Sequence, residues 1–201
     1  VVVDDVVTVM DEAGIERAAV FGWQSGATHA ALLAATYPAR VTQLVTFNLD
    51  PRSLQKPGWT LTSWGRGEWE SYLTNLRQGW GIREWVKQHN ATFAPDATSL
   101  TFENWALAMF QLSANPAMAE AVERLDMETD IRAVLPAIHV PTLVLHRPQA
   151  WTMPPEIAAY VADQISSATV VAIPGRDDSP YTGDVEAIVD EVEVFLTGER
   201  H

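Results

Sequence analysis

Apolar positions recur three and four residues apart at the start of the chain. Val2, Val3, Val6, Val7, Met10 and Ala13 share one side of a helical wheel, and Asp4, Asp5, Asp11 and Glu12 take much of the other. That spacing predicts an amphipathic helix over residues 1–15, with Gly14 as its stop. The next apolar run, Ala18, Ala19, Val20 and Phe21, is short and continuous, as in a parallel strand covered on both faces. No Asp, Glu, Lys or Arg occurs from Ala18 through Ala39, and the alanine-rich segment 25–37, closed by Pro38, predicts a helix lying close against a sheet. Residues 41–50 read as a second buried strand that Pro51 closes, and residues 140–146 as a third with a proline near its start. A helix is predicted from Pro154 or Pro155 to about residue 165, a fourth strand over 169–173, a turn-rich loop over 175–183 and a final helix over 185–196. Such alternation calls for an α/β fold with a parallel sheet and right-handed crossovers.

Between residues 54 and 130 strand signals fade, helical periodicity takes over, and six of the eight tryptophans appear, at 59, 64, 69, 80, 85 and 105. This stretch is predicted as a helical insertion into a single domain, 1–201, whose core is 1–53 and 131–201. An insertion after the second strand lies above the carboxyl edge of the sheet, where ligands of open α/β sheets bind, which suggests a lid over an apolar pocket. The alternative is that the aromatics weld a small helical layer to the core.

Length and composition fit one sizeable hydrophobic core: 201 residues, 47% of them hydrophobic. A formal charge of −13 and the lack of any basic run exclude a nucleic-acid backbone or an anionic membrane as the expected partner. There is no cysteine, and the five histidines, at 29, 89, 139, 146 and 201, show no paired ligand spacing, so neither a metal nor another cofactor is expected. No secretory leader or membrane span is recognisable, which makes the cytoplasm the expected location.

The stretch from Ala18 to Ala30 carries the candidate chemistry. A buried strand running through a glycine-flanked turn into a buried helix is the shape of a nucleophile elbow, in which the positions two before and two after the tip must be very small. Gly22 and Gly26 supply those positions, so the tip is Gln24, a neutral amide that is no nucleophile. Shifting the register to place Ser25 at the tip would put the Trp23 indole at the crowded first position.

Three longer segments carry a family resemblance: residues 21–26 (Phe-Gly-Trp-Gln-Ser-Gly), residues 34–41 (Ala-Ala-Thr-Tyr-Pro-Ala-Arg-Val), and above all residues 130–147 from Asp130 through His146 and Arg147. With residues 173–184 and 195–198 they resemble the α/β-hydrolase superfamily, in an actinobacterial branch often joined to a class III nucleotide cyclase or a regulator module. The resemblance runs nearly end to end. It implies the C-terminal part of an α/β-hydrolase sheet with a helical lid insertion, and a fused cyclase or regulator module as a partner.

It also implies where a Ser-Asp-His triad would sit, and each position departs from the pattern. The nucleophile falls on Gln24. The acid of the family's His-Arg-x-x-Asp falls on Ala150, in His146-Arg147-Pro148-Gln149-Ala150. The histidine of its Asp-His falls on Asp178, after Asp177. Those three side chains supply none of the roles acyl transfer needs. Asp50 could stand in as an acid and His29 as a base, although a histidine in a buried alanine-rich helix is more often a packed one; His146 matches a non-catalytic family position.

What is left is a pocket. Trp23, Gln24, Ser25, Trp151 and Asp178 are its expected ligand-binding residues, suited to a small, largely apolar ligand with one polar group. The alternative is a relict cleft that tryptophans fill. The expected function is a catalytically degenerate, regulatory or ligand-sensing hydrolase-like domain; an esterase or lipase-like enzyme with an unconventional constellation, and an interaction or oligomerisation module, are the alternatives. The family's sheet has further strands beside the one at 18–21, so Ala18 to Phe21 is expected as an unpaired edge, met by an additional N-terminal half or by a second copy of the chain.

Overall fold

A computed structural model describes residues 2–62 and 64–200 of the chain. The helix expected over 1–15 is α1, Val2–Glu12, with Val1 outside the described residues. It leads through Gly14, at φ 68°, into β1, Ala18–Trp23. Helix α2, Ser25–Thr36, and strand β2, Val41–Phe47, follow. Four helices then run in succession: α3, Arg66–Gly79; α4, Arg83–Phe93; α5, Leu100–Ser113; and α6, Pro116–Glu128. Ser99 and Asn115 cap α5 and α6 through their side-chain oxygens, on the amides of Phe102 and Met118. The chain returns to the sheet with β3, Thr142–His146, then α7, Pro155–Gln164, β4, Ala168–Ala172, and α8, Val185–Thr197, which ends on Gly198 in the left-handed region.

The four strands are all parallel, in the order β1-β2-β3-β4, with Gly22 beside Thr46, Thr46 beside Val144, and Val144 beside Val170. Alternate residues of the central strands feed opposite cores, as the two-residue period of a strand requires. Leu44 and Val144 pack with Ala27, Ala31, Leu33 and Ile157 from α2 and α7. Val45, Phe47, Leu143 and Leu145 pack with Ile188 of α8 on the other face. Helices on both faces explain why these strands read as unbroken apolar runs.

Strand ends differ from expectation: β1 runs past 21 to Trp23, β4 lies one residue earlier than 169–173, and both central strands are shorter than expected. The second strand stops at Phe47 and does not reach 50, because Asn48 takes φ 51° and turns the chain out of the sheet. The third begins at Thr142 and not 140; the Val140 carbonyl is turned to accept from the hydroxyls of Thr142 and Ser167.

β1 ends the sheet, and its outer backbone edge meets no further strand among the described residues. Ala19 and Phe21 are exposed there, and Phe21 joins Tyr181, Val185, Val189 and Leu196 along a shallow apolar groove beside α8. Among the described residues no helix is long and apolar enough to cross a membrane.

Candidate ligand-binding site

The turn from β1 into α2 holds Gln24 at φ 49°, ψ −121°, a conformation that side chains rarely adopt. Its surroundings enforce it. A Cβ on Gly22 would lie 2.5 Å from the Gly26 carbonyl oxygen and 2.6 Å from the Cα of Ala27, so strand and helix can approach only because residue 22 is glycine. The Gln24 amide donates to the Phe47 carbonyl at 3.1 Å, and its own carbonyl accepts from Ala27 at 2.9 Å. Gly26 differs from expectation: a Cβ there would meet nothing within 4 Å, so the second small residue of the pattern is not sterically required in this chain.

Above this turn lies a cavity of about 280 Å³, between the carboxyl ends of the strands and helices α3 to α6. Trp23, Gln24, Ser25 and Asp178 all line it, so the structure brings together four of the five expected binding residues. Trp151 does not line it. That indole is 49% exposed and stands edge-on to Trp64, at 5.0 Å, and to Phe93, both of which do line the cavity. Ala150 is buried outside the wall.

The loop bearing Asp178 is held by a residue that sequence reasoning passed over. Arg147, 0% exposed, threads its guanidinium into the loop after β4 and donates from Nη1 to the carbonyls of Asp177 (3.1 Å) and Ser179 (3.0 Å), and from Nη2 to that of Thr182 (2.6 Å). Asn48 ties the ends of β2 and β3 to the same loop: its Oδ1 accepts from the Arg147 amide at 3.3 Å and its Nδ2 donates to the Asp178 carbonyl at 3.4 Å. Trp23 Nε1 donates to that carbonyl at 2.7 Å. Asp177, in turn, accepts the Asp96 amide at 2.8 Å and so faces the loop before α5.

Asp178 itself is 1% exposed. Its Oδ1 accepts from Thr152 Oγ1 at 2.5 Å, while Oδ2 has no hydrogen-bond partner. Burial raises this carboxyl to about 7, against the pull of the Thr152 hydroxyl. Three more acids face the same space. Burial lifts Asp50 to about 6, opposed by the Arg52 amide and the Ser53 hydroxyl. Burial, with Asp126 nearby, lifts Glu123 to about 7. Asp126 is raised by burial too, against a hydrogen bond from Ser25 and the attraction of His29. Glu123 and Asp126 stand three residues apart on α6 and so share its inward face.

Aromatic rings complete the wall. Trp64 meets Trp69 edge-on at 4.9 Å and lies 5.4 Å from Tyr72; His89 stacks on Phe93 at 4.4 Å, and burial lowers its imidazole to about 4. No Lys or Arg lines the cavity. His29, Asp50 and His146 do not assemble into a relay with Gln24: Asp50 lines the cavity, whereas His29 and His146 lie outside its wall. Among the described residues no group of three or more His, Cys, Asp or Glu could hold a metal ion.

A family model described as alpha/beta hydrolase fold matches residues 1–182. The chain is 25% identical over 167 residues to the pimeloyl-[acyl-carrier protein] methyl ester esterase of Nitrosospira multiformis, covering 81% of this chain and 62% of that protein. It is 24% identical over 173 residues to the strigolactone esterase of Arabidopsis thaliana, covering 84% and 61% respectively. The chain thus spans about three fifths of the length of these curated relatives. Among solved structures, a bromoperoxidase from Bacillus anthracis superposes with a TM-score of 0.86 at 17% identity, over 96% of this chain and 72% of that one, which speaks to the fold alone.

Proposed function

The chain belongs to the alpha/beta hydrolase fold family, and from that premise we propose that its cavity binds a small organic ligand without cleaving it by the family's usual chemistry. One observation carries the reading. The elbow tip, the place from which a nucleophile would attack, is occupied by Gln24 in the strained backbone conformation such a residue requires. An amide there can donate and accept hydrogen bonds but cannot be acylated through an oxygen nucleophile. Ala150 and Asp178 at the other two positions provide neither a carboxylate for an imidazole nor the imidazole. The aromatic and polar lining of the cavity is of the kind that holds small ligands. A sensing or regulatory role, in which binding is the output, follows from an intact cavity joined to absent catalytic groups.

The competing reading, an ester hydrolase, draws on the two esterase relatives. It would have to run through Ser25, which lines the cavity and hydrogen-bonds Asp126. Turnover of short-chain nitrophenyl esters against a Gln24→Ala control, with a fluorophosphonate probe on the same samples, separates the two. Binding without cleavage predicts no turnover above the control and no label. Covalent labelling of Ser25, or ester turnover abolished by Ser25→Ala, would overturn it.

A further inference from the structure

We propose that the cavity selects an organic ammonium ion, a protonated amine on an apolar body, over neutral or anionic molecules of the same shape. The inference rests on the ligand-binding reading and names the ligand class of that site.

Three independent features converge on a cation. First, Asp50, Glu123, Asp126 and Asp178 all face the cavity, from three separate parts of the chain, and no Lys or Arg among the lining residues offsets them. A carboxylate-bearing ligand would meet like charge from several directions, in a setting of low dielectric where repulsion is poorly screened. Second, Asp178 Oδ2 is buried with no partner while Oδ1 is satisfied by Thr152. A buried carboxyl oxygen left open beside a cavity is an unfilled acceptor, and an ammonium supplies what it lacks. Third, much of the remaining wall is aromatic. Trp64, Trp69 and Tyr72 stand mutually tilted, 4.9 to 5.7 Å apart, on the helical side. Aromatic rings clustered on a cavity wall attract a cationic guest through their quadrupoles. Each feature alone suits many ligands. An apolar neutral molecule satisfies the rings but leaves Asp178 Oδ2 unmet, and a metal ion would leave the rings unused.

The test uses benzyldimethylammonium, the protonated tertiary amine whose one N–H can reach a carboxyl oxygen, its carbon isostere isobutylbenzene, and phenylacetate, titrated against the full chain by tryptophan fluorescence and, for the two ions, by calorimetry. The cation is expected to bind at least tenfold more tightly than the isostere, and phenylacetate not to bind. Glu123→Gln and Asp178→Asn are each expected to weaken the cation several-fold and leave the isostere unchanged; urea titration of each variant confirms folding, and Glu123→Gln alone suffices if the other fails to fold. Equal or tighter binding of the isostere overturns the proposal while the ligand-binding reading stands. Binding of none of the three overturns that reading and the proposal with it.

Discussion

Replacing Arg147 by methionine tests whether one buried guanidinium shapes the loop that carries Asp178. Methionine fills much of the same volume but has no donor, so the carbonyls of Asp177, Ser179 and Thr182 lose bonds of 3.1, 3.0 and 2.6 Å. A hydrogen bond to a charged group contributes about 1.5–3 kcal/mol, and the three sum to well above the net loss, since the variant also escapes the cost of burying a cation. Backbone carbonyls, unlike a partner side chain, cannot be mutated away with it. The expected cost is therefore that of leaving a buried polar cluster half satisfied, about 3–5 kcal/mol. At roughly 2–4 °C per kcal/mol for a domain of this size, the midpoint of melting drops by about 6–20 °C. Arg147→Lys keeps the charge but not the two-pronged reach, and should lose about 1–3 kcal/mol. Arg147 also favours ionisation of Asp178, so its removal raises that carboxyl further and the deficit widens from pH 5 to pH 8. Urea unfolding followed by tryptophan fluorescence measures each quantity. A methionine variant within about 1 kcal/mol of the parent protein, with an unchanged denaturant slope, would refute the argument.

Stability should fall as pH rises from 6 to 8. Asp178 and Glu123, raised to about 7, and Asp50, raised to about 6, still hold protons in the folded chain that the unfolded chain has released. Each costs stability as pH climbs through that interval, against a smaller gain from His89 and His146, both lowered by burial; the net change is roughly −1 to −2 kcal/mol. Urea midpoints that rise over this range would contradict it, and Asp178→Asn should flatten the slope. Gln24→Gly should stabilise the fold: removing strain at φ 49°, ψ −121° returns about 1–3 kcal/mol, of which the added freedom of glycine in the unfolded chain takes back about 0.5–1. A destabilised Gln24→Gly protein would show that the tip is held without strain.

The order of strands and helices was legible because parallel strands leave continuous apolar runs and flanking helices leave a period near 3.6, but the run at 18–21 was read as covered on both faces, whereas β1 ends the sheet and leaves Ala19 and Phe21 exposed. Strand ends were less legible. The turn at Asn48 depends on a left-handed residue whose side chain bridges Arg147 and Asp178, contacts 99 and 130 residues away in sequence. Arg147 was visible as a member of the His146-Arg147 pair, yet a charged residue reads by default as exposed, and only its distant carbonyl acceptors, at Asp177, Ser179, Thr182 and Asp184, account for its burial. The acids on α6 were missed for the same reason: charges on an amphipathic helix read as its solvated face. A closer look would have found a signal in Glu123 and Asp126, three apart on one face of a segment already marked by its tryptophans. Trp151 shows the converse error. Its place beside Ala150 put it next to a triad position, but the loop turns its indole outward against Trp64.

Backbone shape and electrostatics at the elbow point in different directions, and the second decides between binding and acyl transfer. The bend survives whatever side chain sits at its tip, because the close contact of Gly22 with Gly26 and Ala27 and the bond from Gln24 to Phe47 impose it. Elbow geometry therefore attests to the fold and not to a reaction. Acyl transfer needs donors aimed at an oxygen that becomes negative as the bond is attacked, in a site whose field favours that charge. Any such donor at the start of α2 would serve a space that Asp50, Glu123, Asp126 and Asp178 share with no Lys or Arg. An oxyanion formed there would build up against those carboxyls, most strongly as pH rises through the values of Asp178 and Glu123. The charge pattern that suits a cationic guest thus opposes the transition state of ester cleavage, so restoring a serine at position 24 alone would leave the larger electrostatic obstacle in place.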